Sequence, residues 1–276
     1  FNTHYIGCRN LVRIFKKKNI KLFVQIGSST EYGNLKSPHG ENFKCNPKSI
    51  YGRPKYLATK FLLGEYNKNK FPCTILRLYQ VFGPRQDNNR LIPIVINSFL
   101  KGLTLPCSDG KQYKDFLHVD EVVKAIILTI KSKKVLGEII NIGSGKIINI
   151  RWLINFLKQE IKKGKPEFGK LKTRKDENIK VYPNILKAKK ILNWKNNQLK
   201  ILPSTRFTKS SINMSGYIYL PINLNSTNVI IKSLKNFLLT GSKKTQQPCT
   251  GVPTIFYRHR APEHLPRRHA LHSGHH

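Results

Sequence analysis

The chain has 276 residues, of which 50 are Lys or Arg and only 14 Asp or Glu, for a formal net charge of +36. Hydrophobic residues make up 39%, enough for a folded core, which excludes wholesale disorder, and the length admits one large domain or two modest ones. The basic residues are spread along the chain in short runs such as KKK at 16–18, with few aromatics among them. That distribution suits a pocket for phosphate-bearing small molecules and points away from a nucleic-acid footprint.

Two further classes fall away at this level. No apolar run approaches the roughly 20 residues needed to cross a bilayer, so no membrane partner is expected. The cysteines, Cys8, Cys45, Cys73, Cys107 and Cys249, are odd in number, widely spaced and free of any CxxC pair. That is not the pattern of a disulfide framework or a structural zinc, and it fits a reducing, cytoplasmic setting.

In chain order, residues 3–18 read as a helix, with apolar Tyr5, Ile6, Leu11, Val12, Ile14 and Phe15 and a basic end. IKLFVQIG (20–27) is a short apolar strand closed by the loop GSSTEYG. A helix follows from Tyr51 to about Lys68, and CTILRLYQVFG (73–83) is a second apolar strand. LIPIVINSFLKG (91–102) is a helix that Gly102 ends in a left-handed cap. Residues 115–131 run from a strand-like entry into a helix, GEIINIGSG (137–145) is a strand with a Gly-rich turn, and 149–163 is an amphipathic helix. This alternation predicts an α/β fold whose parallel sheet is covered on both faces, with sites at the strand carboxyl ends. From 201 the character changes: Glu263 is the one acidic residue, strand signals are weak, and six of the nine histidines gather in RHRAPEHLPRRHALHSGHH. No spacing there repeats a metal-ligand pattern, so 201–276 reads as a basic, His-rich tail outside the domain.

The motifs fall at the predicted strand ends. Ser28 stands four residues before Tyr32 in GSSTEYG, and Tyr51 and Lys55 stand four apart in YGRPK. RLYQVFGPRQ, KDFLHV, NIGSG and RKDEN follow in that order. Over about residues 1–200 this series resembles the extended short-chain dehydrogenase/reductase family, the NAD-dependent epimerases and dehydratases of nucleotide sugars. The resemblance implies a Rossmann-like doubly wound sheet lacking its first strands, with a smaller C-terminal substrate-binding region interleaved from 84–120 and 145–200. It also implies NAD or NADP as cofactor, a nucleotide-diphosphate sugar as substrate and a homodimer.

The same resemblance implies the roles of single residues. To oxidise a sugar alcohol, a base must take the hydroxyl proton while hydride leaves the carbon, and an isolated phenol titrating near 10 is too weakly acidic to serve at neutral pH. Tyr51 is then the acid/base, Lys55 the cation that lowers its pKa and holds the cofactor ribose, and Ser28 the hydroxyl on the reacting oxygen. Asn2 and Tyr79 fall to the cofactor. Ser29, Gln80, Lys114, Arg174 and Glu177 fall to the substrate, with Asp176 or Glu177 at the nucleotide ribose. The family's YGxSK is YGRPK here, and Pro54 disfavours helical geometry at Arg53, which puts the Tyr51–Lys55 spacing in question. His118 reads as structural.

Dehydratases of the family carry an acidic pair directly after the catalytic Ser or Thr, where this sequence has Ser29 and Thr30. A 4-epimerase or 4-ketosugar reductase is therefore expected, a 4,6-dehydratase using Glu31 is the alternative, and a non-catalytic basic binding protein is the alternative of another class. The family's G-x-x-G-x-x-G pyrophosphate loop is absent, and GSGK (143–146) matches its later turn instead. We expect an N-terminally truncated chain with a foreign C-terminal end, binding NAD weakly and acting weakly or not at all.

Overall fold

The computed structural model describes residues 1–173 and 177–195, with two short strands at 212–213 and 217–218. A π-helical turn, Asn2–Ile6, runs into α1 (Gly7–Phe15) and then β1 (Phe23–Ser28), which a 3₁₀ turn, Ser29–Tyr32, closes. Next come α2 (Gly52–Asn69), β2 (Cys73–Leu78), β3 (Gln80–Phe82), α3 (Leu91–Leu100), β4 (Thr104–Pro106), β5 (Tyr113–Lys114) and β6 (Phe116–His118). They are followed by α4 (Val119–Lys131), β7 (Ile139–Ile142), β8 (Ile148–Asn149), α5 (Ile150–Ile161), β9 (Lys165–Glu167), β10 (Lys180–Val181) and α6 (Leu186–Leu192).

The central sheet is parallel, in the order β1-β2-β7, and its apolar strands alternate between two covered faces. Ile75 turns to Cys8, Val12, Ala58 and Leu62 of α1 and α2. Leu76, Ile140 and Ile142 turn to Val122 and Ala125 of α4 and to Ala188 and Leu192 of α6. Each such buried aliphatic side chain contributes about 1.5–3 kcal/mol, so these faces set where the helices sit. A second cluster, with Val95, Phe99, Leu105, Leu153 and Leu157, forms a smaller lobe around α3, α5, β4 and β9. In register, Ser28 pairs with Leu78 and Leu78 with Ile142, so all three strands end level and release their loops at one edge of the sheet, where a crevice is expected in such folds.

The expected elements are present with three differences. The first strand begins at Phe23, not at Ile20. The 73–83 run is two strands: Tyr79 N–H still donates to Ile142 on β7, but Gln80 N–H donates to Asp115, and β3 leaves to pair with β6. Helix α6 and the small sheet β10-β5-β8 were not foreseen. Gly102 has φ +72, as its capping role requires. Beyond 195, an antiparallel pair, β11 (Ile212–Asn213) and β12 (Tyr217–Ile218), is described, and the expected tail otherwise lies outside the described residues. Among the described residues no helix is long and apolar enough to cross a membrane.

Candidate active site

Helix α2 begins early enough to keep Tyr51 and Lys55 on one face. Ser49 caps it: its hydroxyl accepts from Gly52 N–H at 2.8 Å and its carbonyl from Arg53 N–H at 3.0 Å. Tyr51 therefore already has helical dihedrals, φ −83 and ψ −44, and Pro54 sits harmlessly in the first turn. Gly52 explains how the helix reaches β1. A Cβ there would stand 2.5 Å from the Thr30 carbonyl oxygen, so only glycine lets α2 close on the Ser28 turn.

Lys55 is buried, and its ammonium donates to the Ile26 carbonyl at 2.7 Å, two residues before Ser28. The same nitrogen lies 5.8 Å from the centre of the Tyr51 ring, and the His4 ring packs edge-on against Tyr51 at 5.1 Å. Burial lowers the Lys55 pKa, and the Glu31 carboxylate and the Cys8 thiol oppose that. Tyr51 departs from the expectation. Its pKa is raised by burial, and the cation opposing this is Arg90, just before α3, rather than Lys55.

Ser28 ends β1 and caps the 3₁₀ turn. Its hydroxyl oxygen accepts from Thr30 N–H at 3.2 Å and from the Thr30 hydroxyl at 2.9 Å. A hydroxyl has two acceptor sites and one donor, so the Ser28 O–H remains as a donor. Ser29, next along, is buried.

Other expected residues have different employment. Tyr79 is buried with its hydroxyl 3.0 Å from His39 Nδ1, and burial pushes its pKa strongly upward; it is a core residue rather than an open cofactor contact. The Lys114 ammonium donates to the Asn178 carbonyl at 2.8 Å and lies 3.5 Å from Glu177, whose other oxygen takes Gln112 Nε2 at 3.4 Å. Lys114 and Glu177 thus meet each other. Asn178 also donates to Gly33 at 2.8 Å, tying that segment to the end of the Ser28 turn. Gln80 stands partly buried at the start of β3, while Asn2 is exposed in the first helical turn, the turn whose His4 packs against Tyr51. Arg174 and Asp176 lie outside the described residues. His118 caps α4 by accepting Asp120 N–H at 3.3 Å.

Sequence reasoning named Glu31 only as the acid/base of a dehydratase and missed the buried polar network around it. Glu31 is fully buried: Oε1 accepts Ser28 N–H at 2.9 Å, and Oε2 takes Thr59 Oγ1 at 2.8 Å and Arg77 Nε at 2.9 Å. Both Glu31 oxygens are thus engaged. Arg77 lies 4.6 Å over the Tyr32 ring, and burial pushes the Tyr32 pKa up to about 12. The Tyr32 hydroxyl donates to Asn141 at 2.8 Å, and Asn141 donates to the His39 carbonyl. Asp115 accepts the N–H groups of Ser144 and Gly145, each at 2.7 Å, and burial raises its pKa to about 6. A lone Arg inside the apolar run CTILRLY was the readable signal, since such a charge needs a buried partner. Among the described residues no His/Cys/Asp/Glu cluster could hold a metal ion.

The parallel sheet ends at Ser28, and Tyr51 and Lys55 stand at the start of the helix packed against it, as in an α/β fold of the doubly wound class. The model of the NAD dependent epimerase/dehydratase family matches residues 1–143, and the chain belongs to that family. A Methanocaldococcus jannaschii protein named as a candidate UDP-glucose 4-epimerase is 32% identical over 201 residues, 70% of this chain and 64% of that protein. UDP-N-acetylglucosamine 4-epimerase of Methanobrevibacter ruminantium, solved in complex with UDP-N-acetylmuramic acid, is 26% identical with a TM-score of 0.67, over 72% of this chain and 65% of that one. The dTDP-glucose 4,6-dehydratase of Bacillus anthracis, solved in complex with NAD, is 27% identical with a TM-score of 0.66, over 72% and 64%. The chain spans less than two thirds of the length of each.

Proposed function

We propose that the chain carries the proton-transfer half of a nucleotide-sugar 4-epimerase or 4-ketosugar reductase, with Tyr51, Ser28 and Lys55 as its working groups. The observation that carries this reading is the Lys55 ammonium, which reaches the backbone two residues before Ser28 while flanking Tyr51 on its own helix. Tyr51 moves a proton to and from the sugar C4 oxygen. Ser28 donates its free O–H to that oxygen and holds it in line. Relatives acting on UDP- and dTDP-sugars support a nucleotide-diphosphate sugar as substrate.

The donor set fits the ribose end of NAD. Lys55 has three N–H donors and spends one on Ile26, leaving two for the ribose hydroxyls beside the Tyr51 phenol. Bound there, the nicotinamide would supply the hydride acceptor and donor. At the other end of the crevice, a substrate diphosphate would compete with Glu177 for Lys114, a point charge where a bidentate Arg would grip more firmly.

Engagement of both Glu31 oxygens, together with Ser29 and Thr30 at the positions of an acidic pair, favours epimerisation or reduction over water elimination. The test is incubation of the chain with excess NAD and UDP-, dTDP-, GDP- or CDP-hexoses, followed by NMR of the sugar. Appearance of a 4-epimer that Tyr51→Phe abolishes supports the reading. A chain that neither converts nor binds any of these sugars sinks it.

A further inference from the structure

Glu31 links three elements that the Ser28–Tyr51–Lys55 set depends on. Oε1 holds the backbone N–H of Ser28, at the carboxyl end of β1. Oε2 holds Thr59, one helical turn beyond Lys55 on α2, and Arg77 on β2. The fit is close on every side: a Cβ on Gly27 would stand 2.6 Å from Oε1, and Arg77 is itself pinned over the Tyr32 ring. Moving any one of these elements would break a charge-assisted hydrogen bond in a buried site, where such a bond is worth most.

We propose that Glu31 is a positioning residue: its single buried carboxylate fastens the Ser28 turn to α2 and β2 and, from that place, sets the charge environment of Tyr51. This rests on the reading of Tyr51 as the proton-transfer group. Two titratable groups pack against the Tyr51 ring, His4 from the first helical turn and Lys55 from its own helix, and the charges of Arg90, at the start of α3, and Glu31 act on its phenol. Arg90 favours the phenolate, and Glu31 opposes it. The same carboxylate keeps Lys55 protonated against the cost of its burial. Glu31 therefore trades phenol acidity for a cation that stays charged and in place.

The experiment needs no turnover. The full chain is labelled with ¹³C at tyrosine Cζ, and the Tyr51 signal is identified by its loss in Tyr51→Phe. Its titration midpoint is then compared between the parent and Glu31→Gln, which keeps the shape and removes the charge. A lower midpoint in Glu31→Gln is expected; a midpoint that is unchanged or higher in a chain with parental circular dichroism overturns the proposal. If Glu31→Gln does not fold, Glu31→Gln/Arg77→Met removes both buried charges, and the same comparison decides. A lowered midpoint in a chain inert toward nucleotide sugars would keep the positioning role and sink the enzymatic reading. An unchanged midpoint in an active chain would do the reverse.

Discussion

The Lys55 ammonium sits 2.7 Å from the carbonyl oxygen of Ile26, so a helix side chain is anchored to the strand that presents Ser28. Lys55→Met should keep the fold, because burial already disfavours the charge and methionine fills a similar volume. Stability should fall by about 1–3 kcal/mol, the range for taking a charged donor from a buried acceptor. Isothermal titration should find NAD binding lost against whatever affinity the parent shows.

Tyr51→Phe removes a hydroxyl and little packing. Turnover should fall by roughly 10²–10⁴, the range for losing a general acid/base, with circular dichroism unchanged. Burial holds the Tyr51 phenol above its ordinary 10.0, so turnover that draws on phenolate should climb with pH throughout the neutral range. A flat profile would argue against Tyr51 as the base.

Gly52→Ala places a methyl against backbone, 2.5 Å from the Thr30 oxygen and 2.8 Å from Ser49 Oγ. The backbone cannot yield as a side chain would, so α2 must shift away from the Ser28 turn. Urea unfolding should show a loss of about 1–3 kcal/mol, the usual cost of overpacking. Any turnover should fall further than that loss explains.

Arg77→Met leaves the Glu31 carboxylate buried without its cation, Arg77 being 1% and Glu31 0% exposed. Breaking one side of such a pair costs about 3–5 kcal/mol. Glu31→Gln/Arg77→Met should recover much of that loss, which denaturant titration of the single and double variants would show.

His39 is held neutral. Its Nε2 lies 3.0 Å from the Leu35 carbonyl, which can only accept, so that nitrogen carries the proton and Nδ1 accepts from the Tyr79 hydroxyl. Burial lowers its pKa below the ordinary 6.5. With the folded pKa below the unfolded one, the unfolded chain binds the proton more readily. The contribution is full above about pH 6.5 and is lost as pH falls toward the folded value. Denaturation midpoints should decline with acidification below that point, with a smaller slope in His39→Gln.

The order of elements along 1–163 was legible because period and punctuation are local. CTILRLY is apolar throughout, as a strand buried on both faces must be, and Gly102 announces its own positive φ. The spacing of Tyr51 and Lys55 looked doubtful across Pro54 until the Ser49 cap showed where α2 starts. The split of 73–83 at Tyr79 could not be read, since it depends on which strand receives the next N–H.

What the residues determined unaided is the class of fold, because hydrophobic period belongs to each stretch of chain. Tertiary structure alone decided the state of the polar side chains: that burial, opposed by Arg90, governs the Tyr51 phenol, that Tyr79 faces His39, and that Glu31 is spoken for by three partners. Desolvation and Coulomb energy depend on neighbours brought from distant sequence, and no local pattern carries that information.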